Sequence, residues 1–461
     1  MANKPHTIVV GGGWAGLGAA IHAIDLGHQV TLLEASRHWG GRARSLDFND
    51  NGHPLDNGQH ILVGAYTSAL GLLERLGVPL QDVFYRQPLD LRFTDGAGLH
   101  VPPWAQGLAA PVGLLAAVMQ ARGWSWSDKW QFISATAQWQ RQGFTCRPKV
   151  TVEQLADQLP DIAVEHIIEP LCLAALNTPM DIASGQVFLT VLRDALLGKG
   201  HKPFKASDLL LPKVDLGQLL PQASIQWLNQ QGAQLHTGQR VIGLENIDHT
   251  WHVHTTQQHF EAQRVVLACP ASDAARLVEG INPQWAEQAR QLEHIAIGTV
   301  YVRGRATRQW PHPMVALYSH PTQAPAQFAF NRSRLFASAS QPAQAQQVDE
   351  DVHPLSPIEV ASKPLPPQQI WALVASASSL NAKQLQAACL WQAHEQLGLS
   401  DLLAVSTVVE KRATFACKAN LKRPAHHISM GLFAAADYVE NPYPATLEGA
   451  LRNSFNHYLK N

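Results

Sequence analysis

The stretch from Ile8 to Ala35 constrains the fold more than any other part of the chain. It combines two short apolar runs with a glycine-rich turn between them. Ile8 to Val10 predicts a buried parallel strand, which Gly11 ends. A helical stretch follows, and Gly27 precedes a second apolar run from Gln29 to Leu33. The pattern therefore predicts a βαβ unit.

The glycines of this turn have the spacing of a dinucleotide-binding loop. Gly11 permits the tight turn, Gly13 lets a pyrophosphate approach the backbone, and Gly16 lets the helix pack on the strand. Unpaired N–H groups at the helix N-terminus favour the phosphates. Glu34 closes the second strand, where a carboxylate can accept the ribose hydroxyls of an adenosine. The contacts expected for this half of the dinucleotide are Gly11, Gly13, Trp14, Ala15, Gly16, Glu34 and Ala35.

Length, charge and cysteine content narrow the class of protein. A chain of 461 residues exceeds what one hydrophobic core usually supports, so we expect two domains. The net charge is −1 with Lys and Arg spread along the chain, which disfavours a nucleic-acid partner. The five cysteines form no C-x-x-C pair, which disfavours a metal site or a disulfide framework and indicates a reducing compartment. With no signal peptide before the first strand, we expect a cytoplasmic protein.

Two loops after the βαβ unit carry further candidate residues. Gly40 and Gly41 allow close backbone approach, and Arg42 or Arg44 can neutralise the same pyrophosphate, although a solvated basic turn would have the same composition. The turn Asp56-Asn57-Gly58-Gln59-His60 leads into a helix predicted to begin near Thr67. We expect Gly58 and Gln59 to meet the edge of a flavin ring, although Asp56 and Asn57 are also ordinary turn formers.

Together these segments resemble a known family. The glycine turn, the GGRAR segment and the DNGQHILVGAY segment are similar to the superfamily of FAD-dependent amine oxidases and phytoene desaturases. Glu169 to Asn177 and the block after Gly431 resemble, within it, the squalene-associated branch, the hydroxysqualene dehydroxylases of bacterial hopanoid synthesis. The similar stretches span nearly the whole chain.

This resemblance implies an α/β fold, with a Rossmann-like FAD-binding domain of the amine oxidase type and a second, α+β substrate domain. The FAD-binding domain would be discontinuous, comprising residues 1–84, 206–284 and 408–461. The substrate domain would comprise residues 85–205 and 285–407. The backbone of Val241 would then contact the adenine.

The block from Gly431 to Asp437 predicts a last strand that ends in an acid, and a helix opens after Pro444. An N-cap after a strand would look the same. A flavin dinucleotide, however, needs a carboxylate near its ribityl chain and helix N–H groups near the ring, which we assign to Asp437, Thr446 and Leu447. This second half-site favours FAD over NAD. We expect non-covalent FAD, because no cysteine lies near the start of the last helix.

The resemblance also implies a reaction. Reduced FAD would deliver hydride to hydroxysqualene as its hydroxyl leaves, giving squalene and water. His60 is our candidate proton donor, although a hydrogen bond at the approach to the helix is an equal explanation. The electron donor to FAD is unknown from the sequence.

Three other functions compete with this one. A carotenoid desaturase or phytoene-type desaturase would use the same fold to oxidise its substrate. An amine oxidase is disfavoured, because the substrate-facing region has long apolar stretches and no evident cage for an ammonium. A non-catalytic scaffold stabilised by FAD would show no flavin redox chemistry with any isoprenoid.

Two segments of the substrate domain stand out by composition. Trp104, Trp124, Trp126, Trp130 and Trp139 lie in a predicted helical region, either as core residues or around an apolar tunnel. Resemblance to enzymes of long isoprenoids favours a tunnel that opens at a lipid interface between Leu99 and Trp126, with peripheral association on the inner face of the cytoplasmic membrane. Residues 338–369 are rich in Pro, Gln, Ala and Ser and predict a flexible insertion.

Overall fold

The computed structural model describes residues 4–50, 53–339 and 367–454. The strands in this part of the chain are, in order, β1 (His6–Val10), β2 (Gln29–Leu33), β3 (Ser45–Asp50), β4 (His53–Asp56), β5 (Leu62–Val63), β6 (Phe84–Gln87), β7 (Asp90–Arg92), β8 (Gly98–His100), β9 (Leu209–Pro212), β10 (Gln234–His236), β11 (Val241–Ile247), β12 (Thr250–Thr255), β13 (His259–Ala262), β14 (Arg264–Leu267), β15 (His294–Ala306), β16 (Met314–Ala316), β17 (Phe328–Asn331), β18 (Gln368–Ser376), β19 (Leu399–Phe415), β20 (His427–Ser429) and β21 (Leu432–Ala434).

The α-helices of the same part are α1 (Trp14–Asp25), α2 (Thr67–Arg75), α3 (Leu80–Val83), α4 (Ala110–Gln120), α5 (Trp126–Arg141), α6 (Val152–Ala156), α7 (Asp161–Ala163), α8 (Glu169–Leu176), α9 (Gly185–Leu197), α10 (Leu216–Leu219), α11 (Pro221–Gln230), α12 (Ala271–Val278), α13 (Pro283–Arg290), α14 (Arg332–Ala339), α15 (Ala382–Leu397) and α16 (Leu447–Ser454). A short 3₁₀ helix covers Pro103–Ala105, and a π-helical turn covers Val164–Ile168.

A six-stranded sheet in the order β10-β2-β1-β14-β21-β20 is built on the predicted βαβ unit. All its strand pairs are parallel except β20 with β21. Side chains of β1 alternate between the two faces, so Val9 packs under α1 while Ile8 and Val10 pack under the β11–β13 layer. Both faces are therefore buried, and the predicted Rossmann-like α/β fold is confirmed.

A three-stranded antiparallel sheet, β11-β12-β13, packs on one face of the parallel sheet. Its third strand is β13, and the next strand, β14, joins the parallel sheet beside β1. The reason is that β14 is apolar on both faces, as a central parallel strand requires, whereas β13 is a mostly exposed edge strand.

The second large sheet is antiparallel, with the order β16-β17-β18-β15-β19. Helix α15 covers one face, where Leu385 packs against Val300 and Leu373. The other face points toward the glycine-rich loops and lines a cavity described below. The division into two discontinuous domains remains a prediction.

The region from residue 85 to 205 is mainly helical, as predicted, but it begins with the short strands β6, β7 and β8. Trp124 and Trp139 are buried in its core, whereas Trp104, Trp126 and Trp130 are exposed. No helix among the described residues is both long and apolar enough to cross a lipid bilayer. Of the predicted flexible insertion, residues 340–366 lie outside the described residues.

Candidate functional site

The glycine-rich loop adopts the close backbone packing that its spacing predicts. Gly11 has φ +114°, and a Cβ there would lie 2.5 Å from the carbonyl oxygen of Ala268. A Cβ on Gly16 would lie 1.8 Å from the carbonyl oxygen of Gly11. No side chain caps the N-terminus of α1, and its first turn carries no acid. The helix therefore presents N–H groups and a positive dipole end to an anion.

A second glycine pair completes a backbone cradle at the same point. The Gly40 N–H donates to the Gly12 carbonyl at 2.8 Å. Gly41 has φ +62°, and a Cβ there would lie 3.0 Å from the Cα of Gly13. Side chains at these positions would fill the slot between the two loops, which is the shape a pyrophosphate requires.

Glu34 holds the glycine loop in place. Its carboxylate accepts from the Gly12 N–H at 2.6 Å and from the Ser36 N–H at 2.7 Å. Each oxygen keeps a further lone pair, and the residue lines the cavity. A contact from Glu34 to adenosine hydroxyls is therefore compatible with this second role, and it stays a proposal.

One cavity of about 590 Å³ brings together residues from both ends of the sequence. It contains nearly every candidate named from the sequence, namely Gly11, Gly13, Trp14, Ala15, Glu34, Ala35, Gly41, Arg42, Gly58, Gln59, His60, Val241, Asp437, Thr446 and Leu447. The remaining candidate, Gly16, lies behind the loop, where its lack of a side chain lets α1 approach Gly11.

Arg42 and Asp437 meet directly across the cavity wall. The guanidinium donates to Asp437 Oδ1 at 2.7 Å and to the Ala413 carbonyl at 2.7 Å. The neighbouring carboxylate raises the pKa of Arg42, so the guanidinium stays charged. A phosphate at this point would therefore share the arginine with Asp437.

His60 lines the cavity next to Arg42. Burial, with a smaller contribution from the Arg42 charge, lowers the pKa of His60 to about 4. Since the imidazole is then neutral at pH 7, it can orient a hydroxyl but holds no imidazolium proton to give. The proton-donor role predicted for His60 thus gains no support from its electrostatic surroundings.

A buried ion pair lies behind the Asp56–His60 turn, and the sequence analysis did not predict it. Arg332 donates to Asp56 Oδ2 at 2.8 Å and to Gln59 Oε1 at 2.9 Å. Both charged side chains are 1% exposed. Arg332 therefore fixes Gln59, which lines the cavity. The available sequence signal was an arginine directly after the apolar run FAFN.

The far end of the cavity is apolar. Residues two apart along a strand share a face, so one face of the antiparallel sheet lines this end. Thr299 of β15 pairs with Val374 of β18, which pairs with Phe328 of β17. We use the term "apolar end" for the part of the lining formed by Ala174, Ala175, Ile297, Phe328, Phe330 and Val374. Asn177, Thr299 and Ser376 add polar groups to it. The sequence analysis did not identify these residues.

A cysteine also lies in the cavity wall. Cys269 follows β14, and burial raises the pKa of its thiol to about 12. All five cysteines are free. A neutral thiol is a poor nucleophile, which agrees with the expected non-covalent cofactor.

The fold and this site define a dinucleotide-dependent oxidoreductase. The chain belongs to the family of flavin-containing amine oxidoreductases, whose family model matches residues 14–344. It is 24% identical to a hydroxysqualene dehydroxylase of Zymomonas mobilis over 97% of this chain and 96% of that protein. It is 28% identical to a phytoene dehydrogenase of Streptomyces griseus over 66% of this chain and 61% of that protein.

Among solved structures, the fold is similar to that of an oxidoreductase from Methanosarcina mazei. The TM-score is 0.69 at 13% identity, covering 97% of this chain and 98% of the other. The cofactor of this family is a flavin, and the chain is an FAD oxidoreductase. The uncapped α1 N-terminus, the glycine cradle and the single cavity reaching α16 fit an extended flavin dinucleotide.

Proposed function

We propose that this protein removes the hydroxyl group of hydroxysqualene reductively and thereby forms squalene. The C–O bond breaks, a C–H bond forms at the same carbon, and the hydroxyl leaves with one proton as water. Reduced FAD, when bound, supplies the hydride from its N5 position and is oxidised by two electrons. The electron donor that reduces the flavin again is outside this proposal.

The single observation that carries the proposal is how much of the chain is similar to one relative. Similarity to the hydroxysqualene dehydroxylase covers 97% of the chain, whereas similarity to the phytoene dehydrogenase covers 66%. The cavity supports a long hydrocarbon in either case, because the apolar end presents Phe328, Phe330 and Val374 to its contents. These side chains would exclude water from the reacting carbon.

A desaturase of the phytoene type is the second candidate, and the similarity to a phytoene dehydrogenase favours it. It would run the flavin in the opposite direction, accepting hydride from the hydrocarbon. An amine oxidase receives less support. The carboxylate that this sheet adds to the described cavity lining is Glu410, which pairs with Ile297. It already accepts hydrogen bonds from Asn57 Nδ2 and the Arg412 N–H.

An anaerobic single-turnover experiment separates the two reactions. We expect enzyme with chemically reduced FAD to convert hydroxysqualene to squalene while the flavin becomes oxidised, with one squalene per flavin. Mass spectrometry measures the product, and visible absorbance measures the flavin. Oxidised enzyme mixed with phytoene serves as the control and should stay oxidised. Reduction of the flavin by phytoene, with no squalene from the first mixture, would establish the desaturase instead.

We further propose that the surface around α4 rests on a lipid bilayer. Along α4, Val112, Leu115 and Met119 project from one side, and tryptophans flank the helix. The exposed apolar residues of this surface are Trp104, Leu108, Val112, Leu115, Met119, Trp126 and Trp130, each between 40% and 67% exposed. Such a cluster is typical of interfacial attachment. The cavity lining includes none of residues 99–126, so the predicted tunnel mouth is not observed there.

Replacing Leu115 and Met119 together by glutamate should weaken attachment to vesicles of phosphatidylcholine and phosphatidylglycerol about tenfold, because two partly inserted apolar side chains are lost. Co-sedimentation measures the bound fraction. Leu403→Glu is the matched control, since Leu403 is 55% exposed on β19 and should have no effect. Equal sedimentation of all three proteins would remove this surface from the proposal.

A further inference from the structure

Three polar side chains interrupt the apolar end of the cavity. Thr299 and Ser376 lie on the lining face of β15 and β18, and Asn177 follows the last residue of α8. Their neighbours in the lining include alanine, valine, isoleucine and phenylalanine, and Glu410 lies beside Ile297 on β19. Polar groups in such surroundings cost free energy unless they are hydrogen bonded, so each one needs a partner.

Thr299 has no such partner in the described part of the chain. Its side chain is 1% exposed and makes no hydrogen bond among the described residues, although it lines the cavity. A Cβ on Gly58 would lie 3.8 Å from Thr299 Oγ1, so the hydroxyl sits beside the turn that we expect to face the flavin. A bound molecule with a polar atom near this turn would satisfy it.

Asn177 is oriented by Ser376. The Ser376 hydroxyl donates to Asn177 Oδ1 at 3.0 Å, which orients the amide. The Nδ2 group makes no hydrogen bond among the described residues, so two N–H donors remain available. Because Ser376 holds the oxygen of the Asn177 amide, Nδ2 can donate to an acceptor in the cavity.

The strand register places these groups around one point. Ile297 pairs with Ser376 and Thr299 pairs with Val374, so Thr299 and Ser376 are diagonal neighbours on adjacent antiparallel strands. Such neighbours are separated by about 7–8 Å, and one oxygen atom between them can reach hydrogen bonds on both sides. An oxygen atom of a bound molecule can therefore lie between them, and the surrounding apolar side chains can contact hydrocarbon.

We propose that Asn177, Thr299 and Ser376 form a subsite that binds the hydroxyl group of an isoprenoid alcohol and distinguishes it from the hydrocarbon. Asn177 Nδ2 donates to the alcohol oxygen, Thr299 exchanges a hydrogen bond with it, and Ser376 orients Asn177. The inference deepens the proposed function and rests on it. A product without the hydroxyl loses these contacts, and its release is favoured.

Asn177 also has a structural role that the test must separate. It ends α8 in the left-handed conformation, with φ 48°, and its N–H donates to the Leu173 carbonyl. Asparagine suits that conformation, and glycine suits it better. Asn177→Gly therefore keeps the helix end and removes only the amide. Thr299→Val similarly removes the hydroxyl and keeps the side-chain volume.

Binding to the oxidised holoenzyme tests the subsite without turnover. Hydroxysqualene and squalene are titrated separately in detergent micelles, and the change in flavin absorbance reports binding. We expect the wild type to bind hydroxysqualene about tenfold more tightly than squalene, and we expect Asn177→Gly and Thr299→Val to lose most of that preference with the Kd for squalene unchanged. Thr407→Val is the control, because its hydroxyl bonds Gln386 outside the cavity.

The outcomes separate this inference from the function on which it rests. If the wild type converts hydroxysqualene but both variants keep the full preference, the subsite is wrong and the function stands. The same holds if the wild type converts hydroxysqualene and binds both ligands equally. If the wild type neither binds nor converts hydroxysqualene, both proposals are wrong. Loss of preference in the two variants and not in Thr407→Val supports the subsite.

Discussion

Replacing Gly13 by alanine should give a folded protein that no longer retains FAD. The added Cβ would lie 3.7 Å from the Cα of Gly41, an ordinary contact, so the apoprotein can accommodate it. It would, however, occupy the slot between the α1 N-terminus and Gly41 that a pyrophosphate needs. Losing two charge-assisted hydrogen bonds costs about 3 kcal/mol, which corresponds to roughly a hundredfold weaker binding.

The ratio of flavin to protein absorbance after purification measures retention, and titration of the apoprotein with FAD gives the Kd. Gly71→Ala is the matched control. A Cβ at Gly71 in α2 would meet only His201 at 3.8 Å, outside the cavity, so full FAD content is expected. A Gly13→Ala protein that purifies with a full complement of flavin would contradict the assignment of this loop to the pyrophosphate.

Replacing Arg332 by methionine should reduce the free energy of unfolding by about 2–3 kcal/mol at about pH 8, because it leaves the Asp56 carboxylate buried without a cation. Burial already raises the pKa of Asp56 to about 6 despite Arg332. Without the guanidinium, the pKa of Asp56 rises further.

The sign of the pH dependence follows from these pKa values. Because the folded-state pKa of Asp56 is above its unfolded value, its ionisation costs stability as pH rises. In the wild type this loss is complete just above pH 6, whereas in the variant it continues to higher pH. The stability gap between the two proteins should therefore be small below about pH 5 and widen above about pH 6.

Urea unfolding across this pH range, with FAD kept saturating, measures the difference in free energy of unfolding between the wild type and the Arg332→Met variant. Arg290→Met is the control, since its pair with Glu279 is exposed and should contribute less than about 1 kcal/mol. A gap that does not change with pH would show that Arg332 acts through packing, for instance on Phe336, and not through the Asp56 charge.

The parts of the fold that the sequence predicted are those with local signals. The βαβ unit is determined by glycines whose backbone conformations no other residue adopts easily, and Gly11 and Gly16 occur where that need arises. The start of α2 at Thr67 was likewise visible in a short stretch. In each case the residues that determine the element lie within it.

The parts that were missed depend on distant contacts. Arg332 bonds Asp56 across 276 residues of sequence, and no periodicity in either segment indicates the other. The face of the antiparallel sheet that lines the cavity follows from the register of β15, β17 and β18, which three separate apolar runs leave undetermined. Asp437 was predicted because an elongated cofactor needs a second set of contacts. Its hydrogen bond to Arg42, in contrast, became visible only in the structure.

The link between Arg42 and Asp437 has a consequence for the order in which the molecule is assembled. During synthesis the glycine loops emerge hundreds of residues before β21 and α16, and α16 is tied to α1 by the bond from Ser454 to the Ala15 carbonyl. A shortened polypeptide that ends before residue 432 therefore carries the entire fingerprint of a nucleotide-binding protein but lacks Asp437, Thr446 and Leu447, which complete the pocket wall.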